Sequence, residues 1–114
     1  EKRVMMMMFK NKVSAICGTH THVGTDDLQI VDGTLYVSDV GLTGCRDNVI
    51  GMDEAIPIYR ATTGLGGHFK VPNACKSIFQ FVVMELKQGK TTEAFKVKAY
   101  CNKQEPIITK AFFD

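Results

Sequence analysis

The chain carries the stretch VSAICGTHTH at residues 13–22, in which a short apolar run ends at a glycine and two histidines follow. A short, nearly continuous apolar run of this kind is typical of a buried strand. Residues 1–10 have the spacing of a helix. Its predicted buried face consists of Val4, Met5, Met8 and Phe9. A helix followed by a buried strand indicates an α/β fold.

The two histidines of this stretch are candidate metal ligands. In extended backbone, residues i and i+2 point to the same side, so His20 and His22 are predicted to share one small volume just past the strand. Ligands usually bind at this edge of an open α/β sheet, and neutral imidazole binds zinc, iron and manganese. The hydroxyls of Thr19 and Thr21 could orient water or a phosphate oxygen. Two surface histidines on a loop are the alternative.

The remaining residues predict a hairpin, a loop and a helix. Residues 28–31 and 34–38 flank Asp32-Gly33, which strongly indicates a β-hairpin. Residues 39–51 are glycine-rich and irregular, and such loops often line sites. A helix is predicted from Asp53 to about Thr62.

Residues 76–86 and 93–101 predict an antiparallel pair of strands near the end of the chain. In the second strand, the alternation predicts one inward set and one outward set. The inward set is Phe95, Val97, Ala99 and Cys101, and the outward set is Lys96, Lys98 and Tyr100. The predicted sheet is therefore mixed, with antiparallel strands at the C-terminus.

Composition limits the class of protein. With 114 residues, 45% hydrophobic and 23% charged, the chain fits one globular domain and excludes disordered, collagen-like and coiled-coil classes. No stretch approaches the roughly 20 apolar residues that cross a bilayer, so no membrane partner is expected. Residues 26–54 contain seven acidic side chains and only Arg46 as a base. This acidity would favour a cation and disfavour the coating of nucleic acid, unless these aspartates simply occupy turns.

The four cysteines, at positions 17, 45, 75 and 101, have neither redox-motif nor zinc-finger spacing. Without a signal peptide they predict free thiols and a cytoplasmic location, with a secreted domain of two disulfides as the alternative. The chain begins with Glu1 rather than Met, which suggests a piece of a longer protein.

The segment Gly18-Thr19-His20-Thr21-His22 after a buried strand resembles the Gly-His-x-His signature of the calcineurin-like metallophosphoesterases. Two further blocks, GTLYVSDVGLTG at residues 33–44 and NVIGMD at residues 48–53, extend the resemblance. Together, over about half of the chain, these blocks resemble the bacterial family of 2',3'-cyclic-nucleotide 2'-phosphodiesterases.

The resemblance implies a four-layer α/β/β/α sandwich, of which residues 1–114 would form the C-terminal half or a half-domain. It also implies two transition-metal ions, iron or manganese before zinc, with His20 and His22 among their ligands. Asp39 would then orient a ligand imidazole. The other ligands of the family belong to N-terminal motifs that these residues do not contain.

Three interpretations follow for function. In the first, the chain completes a phosphodiesterase for small molecules such as 2',3'-cyclic nucleotides, with an N-terminal half as its partner and no activity alone. In the second, it is a non-catalytic binding or scaffold module. In the third, His20, His22 and a nearby aspartate form a mononuclear zinc hydrolase. An exposed sheet edge and apolar face would also favour a homo-oligomer.

Overall fold

The structure is a computed structural model that describes residues 1–102 and 105–114. The two helices of this part of the chain are α1 (Lys2–Phe9) and α2 (Ala55–Thr63). Its strands are β1 (Ala15–Cys17), β2 (Gln29–Val31), β3 (Thr34–Val37), β4 (Gly44–Cys45), β5 (Ser77–Lys87), β6 (Lys90–Tyr100), β7 (Ile107–Lys110) and β8 (Phe112–Phe113). The predicted α/β class is confirmed.

The strands form two sheets of four. Sheet A has the order β1-β3-β2-β8, and sheet B has the order β4-β5-β6-β7. In sheet A, β1 is parallel to β3, whereas β2 and β3 form the predicted hairpin. Its turn residues Asp32 and Gly33 have φ angles of 51° and 81°, as a type I′ turn requires. Sheet B is antiparallel throughout, which confirms the strand pair predicted near the C-terminus.

The hairpin at the centre of sheet A, β2 and β3, is covered on both faces, whereas the edge strands β1 and β8 are partly or fully exposed. The core between the two sheets contains Leu28, Ile30, Leu35, Val37 and Ala94. The opposite face of sheet A packs Val31 and Tyr36 against Met6 of α1. Since the side chains of a strand alternate between faces, one hairpin supplies both cores. The described residues thus stack helix, sheet and sheet in three layers.

The predicted buried face of α1 is wrong. Met6 is fully buried, whereas Val4, Met5, Met8 and Phe9 are between 39% and 60% exposed. The side of α1 that faces sheet A also carries Arg3, whose guanidinium lies 5.3 Å from the ring of Tyr36 and hydrogen-bonds Gln29. A long basic side chain can cover a sheet with its stem while its charged end finds a polar partner, which a hydropathy pattern does not reveal.

The predicted faces of β6 are also inverted. Lys98 pairs with Gln80 and Lys96 pairs with Val82, and Val82 packs against the core between the sheets. The set predicted to point outward therefore faces sheet A. Phe95, Val97 and Ala99, predicted to point inward, lie on the outer face of sheet B, where Val97 is nonetheless buried at 8% exposure, and Cys101 is exposed just beyond the strand. Lys96 tolerates its position because its ammonium hydrogen-bonds Asp26 at 2.9 Å and the Thr25 carbonyl at 2.8 Å.

The prediction of four free cysteines is wrong as well. Cys45 and Cys75 form a disulfide with a Cα separation of 5.5 Å, and Cys17 and Cys101 are free and exposed. The antiparallel pairing of β4 with β5, in which Cys45 lies opposite Ser77, brings the two cysteines together. Thirty residues separate them in sequence, so their spacing carried no signal. Because of this disulfide, the cysteines no longer support a cytoplasmic location, which stays a prediction.

The predicted helix near residue 55 is confirmed as α2, which ends at Thr63 and is capped by Gly64 with a φ of 72°. Pro57 lies in its first turn, where a proline is tolerated. None of the residues of α2 is buried, so this helix leaves the outer face of sheet B uncovered. Among the described residues, neither helix is long and apolar enough to span a membrane.

Candidate metal site

The candidate site lies where β1 and β3 end. These strands are parallel, so the loops that follow them meet at the same edge of sheet A. The backbone joins the two loops directly, since the Gly18 N–H donates to the Val37 carbonyl at 2.9 Å and the Val40 N–H donates to the Gly18 carbonyl at 3.0 Å. The histidine loop, residues 18–24, is therefore held against the loop that begins at Ser38.

His20 and His22 line one open depression together with Gly41, Leu42 and Thr43. Both histidines thus line the same depression, although their backbone is not extended as the prediction assumed. Their φ angles are 103° and 62°, in a region that residues other than glycine rarely adopt. Such conformations cost of order 1–3 kcal/mol each and cluster at functional sites. The fold holds both histidines in place at an energetic cost.

The ring of His22 is fixed by the loop that follows β4. Its Nδ1 lies 2.8 Å from the Ile50 carbonyl oxygen, which can only accept a hydrogen bond. Nδ1 therefore carries the proton in the neutral ring, and Nε2 is the nitrogen with a free lone pair. Metal-binding histidines commonly donate their other ring N–H in this way.

Asp39 holds the peptide between the two histidines. One carboxylate oxygen accepts the Thr21 N–H and the Thr21 hydroxyl, both at 2.7 Å, and the other accepts the Gly41 N–H at 2.9 Å. Burial raises the pKa of Asp39, but these hydrogen bonds and the charge of Lys2 outweigh burial and place the pKa below its ordinary value. Asp39 was predicted to orient an imidazole, and it acts on the Thr21 peptide instead.

A second carboxylate, that of Asp27, is linked to Asp39 through the Thr25 hydroxyl. Asp27 accepts hydrogen bonds from the Thr25 hydroxyl at 2.6 Å, from the Ser38 N–H at 3.0 Å and from the Ser38 hydroxyl. The Thr25 hydroxyl oxygen in turn accepts the Asp39 N–H at 3.0 Å. Burial raises the pKa of Asp27, but these hydrogen bonds outweigh it and lower the pKa overall. Asp27 and Asp39 are therefore hydrogen-bonded turn residues. For these two acids, the turn interpretation fits better than direct binding of a cation.

The two threonines of the loop have different roles. The Thr21 hydroxyl is engaged by Asp39, which leaves little support for its predicted role toward water or phosphate. Thr19 is exposed and lines the depression, while its carbonyl accepts the Lys2 ammonium at 2.6 Å. Thr43 also lines the depression, but its hydroxyl donates to the Gln80 carbonyl at 3.4 Å.

The mononuclear zinc interpretation requires a third protein ligand. Across residues 1–102 and 105–114, no three histidine, cysteine, aspartate or glutamate side chains come together as a metal-binding group. Asp39, whose loop lies against the histidine loop, is committed to Thr21 and Gly41. The structure therefore does not support that interpretation.

Sequence reasoning missed Gln80, which fixes the far side of the depression. Its side-chain carbonyl accepts the Leu42 N–H at 2.8 Å. A Cβ on Gly24 or Gly41 would lie 2.6 Å from atoms of the Gln80 side chain, so both glycines leave room for it. The glycine-rich composition of residues 39–51 was a signal for this loop, but it did not identify a partner on β5.

Comparison with known proteins places the chain in a family. The sequence model of the YmdB-like protein family matches residues 1–99. The chain belongs to the YmdB-like family. It is 37% identical over 99 residues to the 2',3'-cyclic-nucleotide 2'-phosphodiesterase of Bacillus subtilis, a match that covers 86% of the chain and 37% of that enzyme.

Two crystal structures share the fold of this YmdB-like chain. A hypothetical protein from Thermus thermophilus superposes with a TM-score of 0.76 and 28% identity, over 97% of the chain and 40% of that structure. A phosphatase from Mycoplasma pneumoniae gives a TM-score of 0.64 and 29% identity, over 96% of the chain and 36% of that structure. The chain thus spans less than half the length of the relatives it matches, and the expected phosphoesterase-type fold is confirmed.

Proposed function

We propose that this chain contributes His20 and His22 to a binuclear transition-metal centre that hydrolyses phosphodiesters, with 2',3'-cyclic nucleotides as the substrate class. The observation that carries the proposal is the placement of both histidines on one depression at the edge of sheet A. The hydrogen bond from His22 Nδ1 to Ile50, which leaves Nε2 as the ligating atom, supports it. The name of the B. subtilis relative supports the substrate class.

The residues fit part of such a centre. Two imidazoles suit iron, manganese or zinc, but a pair of ions needs carboxylate or further imidazole ligands that the described residues do not bring to the depression. When bound, two such ions would polarise the phosphate and supply a hydroxide near neutral pH. Because the remaining ligands must come from elsewhere, we expect residues 1–114 alone to be inactive.

The chain's own residues orient the ligands. Ile50 sets the tautomer of His22, and Asp39 fixes the peptide that joins the two imidazoles. Thr19 lies at the surface of the depression, where its hydroxyl could donate to a phosphate oxygen, whereas the Thr43 hydroxyl donates to the Gln80 carbonyl at 3.4 Å. Preorganised ligands of this kind cost no reorganisation during the reaction.

The test uses the full-length protein with His20→Ala and His22→Ala. We expect each variant to lose bound metal and to lose more than about 100-fold in kcat toward a cyclic nucleotide and bis-p-nitrophenyl phosphate. Metal content is measured by elemental analysis, and circular dichroism checks the fold. His68→Ala is the matched control, because His68 is exposed and does not line the depression. Full activity in the double variant His20→Ala/His22→Ala would contradict the proposal.

A further inference from the structure

A second depression lies directly beside the candidate metal site. It shares His22 and Leu42 with the first depression and is also lined by Arg46, Gln80 and Lys98. Its charged lining residues are basic, although the segment that carries Arg46 is otherwise acidic. The two depressions therefore adjoin each other at His22 and Leu42.

Sheet B forms the floor of this basic depression. Lys98 on β6 lies opposite Gln80 on β5, so both side chains project from the same face of the sheet. The same face carries Val82, which packs against the core under sheet A. Lys98 therefore points toward the histidine loop, and Gln80 keeps the Leu42 loop at a fixed position above it.

Arg46 is held at both ends. Its N–H donates to the Lys76 carbonyl at 2.9 Å, and the preceding Cys45 is bonded to Cys75. Its guanidinium lies 5.0 Å from the centre of the Tyr100 ring, a stacking distance at which an arginine keeps its N–H donors available at its edges. Less side-chain entropy is lost when such a prearranged arginine binds an anion.

Nearby acids are occupied by other partners. Within residues 1–102 and 105–114, neither Arg46 nor Lys98 has a carboxylate within 4.0 Å. Asp26, whose pKa is lowered by its hydrogen bond and charge interaction with Lys96 and to a lesser extent by Lys98, forms its ion pair with Lys96 at 2.9 Å. Asp47 accepts the Lys76 N–H at 3.0 Å and an Asn48 amide hydrogen at 3.2 Å. Two basic side chains thus lie without an ion-pair partner, among the described residues, next to the candidate metal site.

We propose that this basic depression binds a second phosphate group of the substrate, so that the enzyme prefers nucleotides that carry a phosphate in addition to the scissile phosphodiester. The proposal rests on the proposed function, because it assigns the scissile group to the side of His20 and His22. A guanidinium and an ammonium on one depression match the charge and the acceptor oxygens of a phosphate.

Binding tests the proposal without any chemistry. The full-length protein is titrated by calorimetry with adenosine 3',5'-bisphosphate and adenosine 3'-monophosphate. We expect the bisphosphate to bind at least about tenfold more tightly, since each charge-assisted contact adds substantially to affinity. Arg46→Gln combined with Lys98→Gln is expected to remove this difference. Arg46→Lys combined with Lys98→Arg keeps both charges and is expected to retain most of it.

Kinetics give the second readout. For the wild type, kcat/KM is expected to be at least about tenfold higher for adenosine 2',3'-cyclic phosphate that carries a 5'-phosphate than for the same compound without it. The ratio falls to near unity in the Gln double variant and is unchanged in Lys87→Gln, which removes a charge at the distant end of β5.

Equal binding of the two nucleotides by the wild type, or a preference that persists in a folded Gln double variant, would overturn the second phosphate site. A protein without metal-dependent hydrolysis would instead overturn the proposed function, and the calorimetric comparison would still decide the role of Arg46 and Lys98.

Discussion

Asp39 is only 1% exposed, and its carboxylate accepts two hydrogen bonds from Thr21 and one from Gly41. A buried carboxylate is favourable only when such donors replace its water. Its position between the two loops means that the backbone of His20 and His22 depends on one acid in the core. Stability and site geometry are therefore coupled at this residue.

Asp39→Asn is expected to lower the free energy of unfolding by about 1–3 kcal/mol at pH 7, because an amide is a weaker acceptor and brings donors of its own. The folded-state pKa of Asp39 is lowered, so its contribution is fully present above the unfolded pKa of about 3.9 and is lost as the pH falls through the folded value. The difference between wild type and variant should therefore shrink below about pH 4, as measured by urea unfolding at several pH values.

Thr21→Val is the milder comparison, since it removes the hydroxyl donor but keeps the backbone N–H. Thr21→Val should lower the free energy of unfolding by less than Asp39→Asn does. An Asn variant as stable as the wild type at pH 7 would contradict this role of Asp39.

For single residues, the sequence identifies the two candidate histidines but not the residues that hold them in place. His20 and His22 are recognisable because their spacing and preceding strand are local features. Ile50 acts through a carbonyl that any residue possesses, and Gln80 lies 38 residues from its partner Leu42. Asp39 was identified as a supporting residue, yet its target could not be, because a loop in an unusual backbone conformation decides it.

At the level of helices and strands, the sequence predicts the hairpin correctly, but it does not predict which face of α1 or of β6 is turned toward sheet A. Asp32-Gly33 fixes its own turn through backbone preference, so the pairing of β2 with β3 follows from local sequence. The direction of the β6 side chains depends on which face meets sheet A, and alternation alone assigns the more apolar set to the core. In β6 the apolar residues lie on the outer face beside the apolar residues of β5, while Lys96 faces sheet A because Asp26 and the Thr25 carbonyl accept its ammonium there.

The junction between β1 and the histidine loop should tolerate no added side chain. A Cβ on Gly18 would collide with the backbone carbonyl of Ser38, which the pairing of β1 with β3 holds in place. Gly18→Ala is expected to destabilise the fold by about 1–3 kcal/mol, the usual cost of overpacking a core, and to displace the histidine loop.

Gly66→Ala is the matched control for Gly18→Ala, because a Cβ there meets nothing within 4 Å. Thermal unfolding of the two variants makes the comparison. Similar melting temperatures for both would show that the backbone at Gly18 can move aside.

The described molecule is flat and extended. Its principal dimensions are 50 × 34 × 18 Å and its radius of gyration is 17.0 Å, whereas a compact domain of this length has about 13 Å. The outer face of sheet B exposes 52% of Phe79 and 39% of Val83, and none of the residues of α2 is buried against it. The open apolar face that the sequence implied for a half-domain is therefore located on β5 and β6.

This face should make residues 1–114 self-associate when they are studied alone, because exposed apolar sheet surface favours contact between copies. Phe79→Thr combined with Val83→Thr should shift the sedimentation profile toward the monomer at micromolar concentration. Val71→Thr is the control, since Val71 is 69% exposed but lies outside both sheets. A monomeric wild type would contradict the expectation.

The placement of β8 has a consequence for biosynthesis. Phe112 and Phe113 pair with Gln29 and Ile30, so sheet A, which carries the histidine loop, is completed by residues more than 80 positions later in the chain. A ribosome conceals the most recently made residues, and β2 must wait with an open edge until β8 emerges. Contacts of such long range form slowly. The edge of sheet A opposite β1 and the histidine loop is therefore the last part of that sheet to be paired, and it stays open to other chains until synthesis has passed β8.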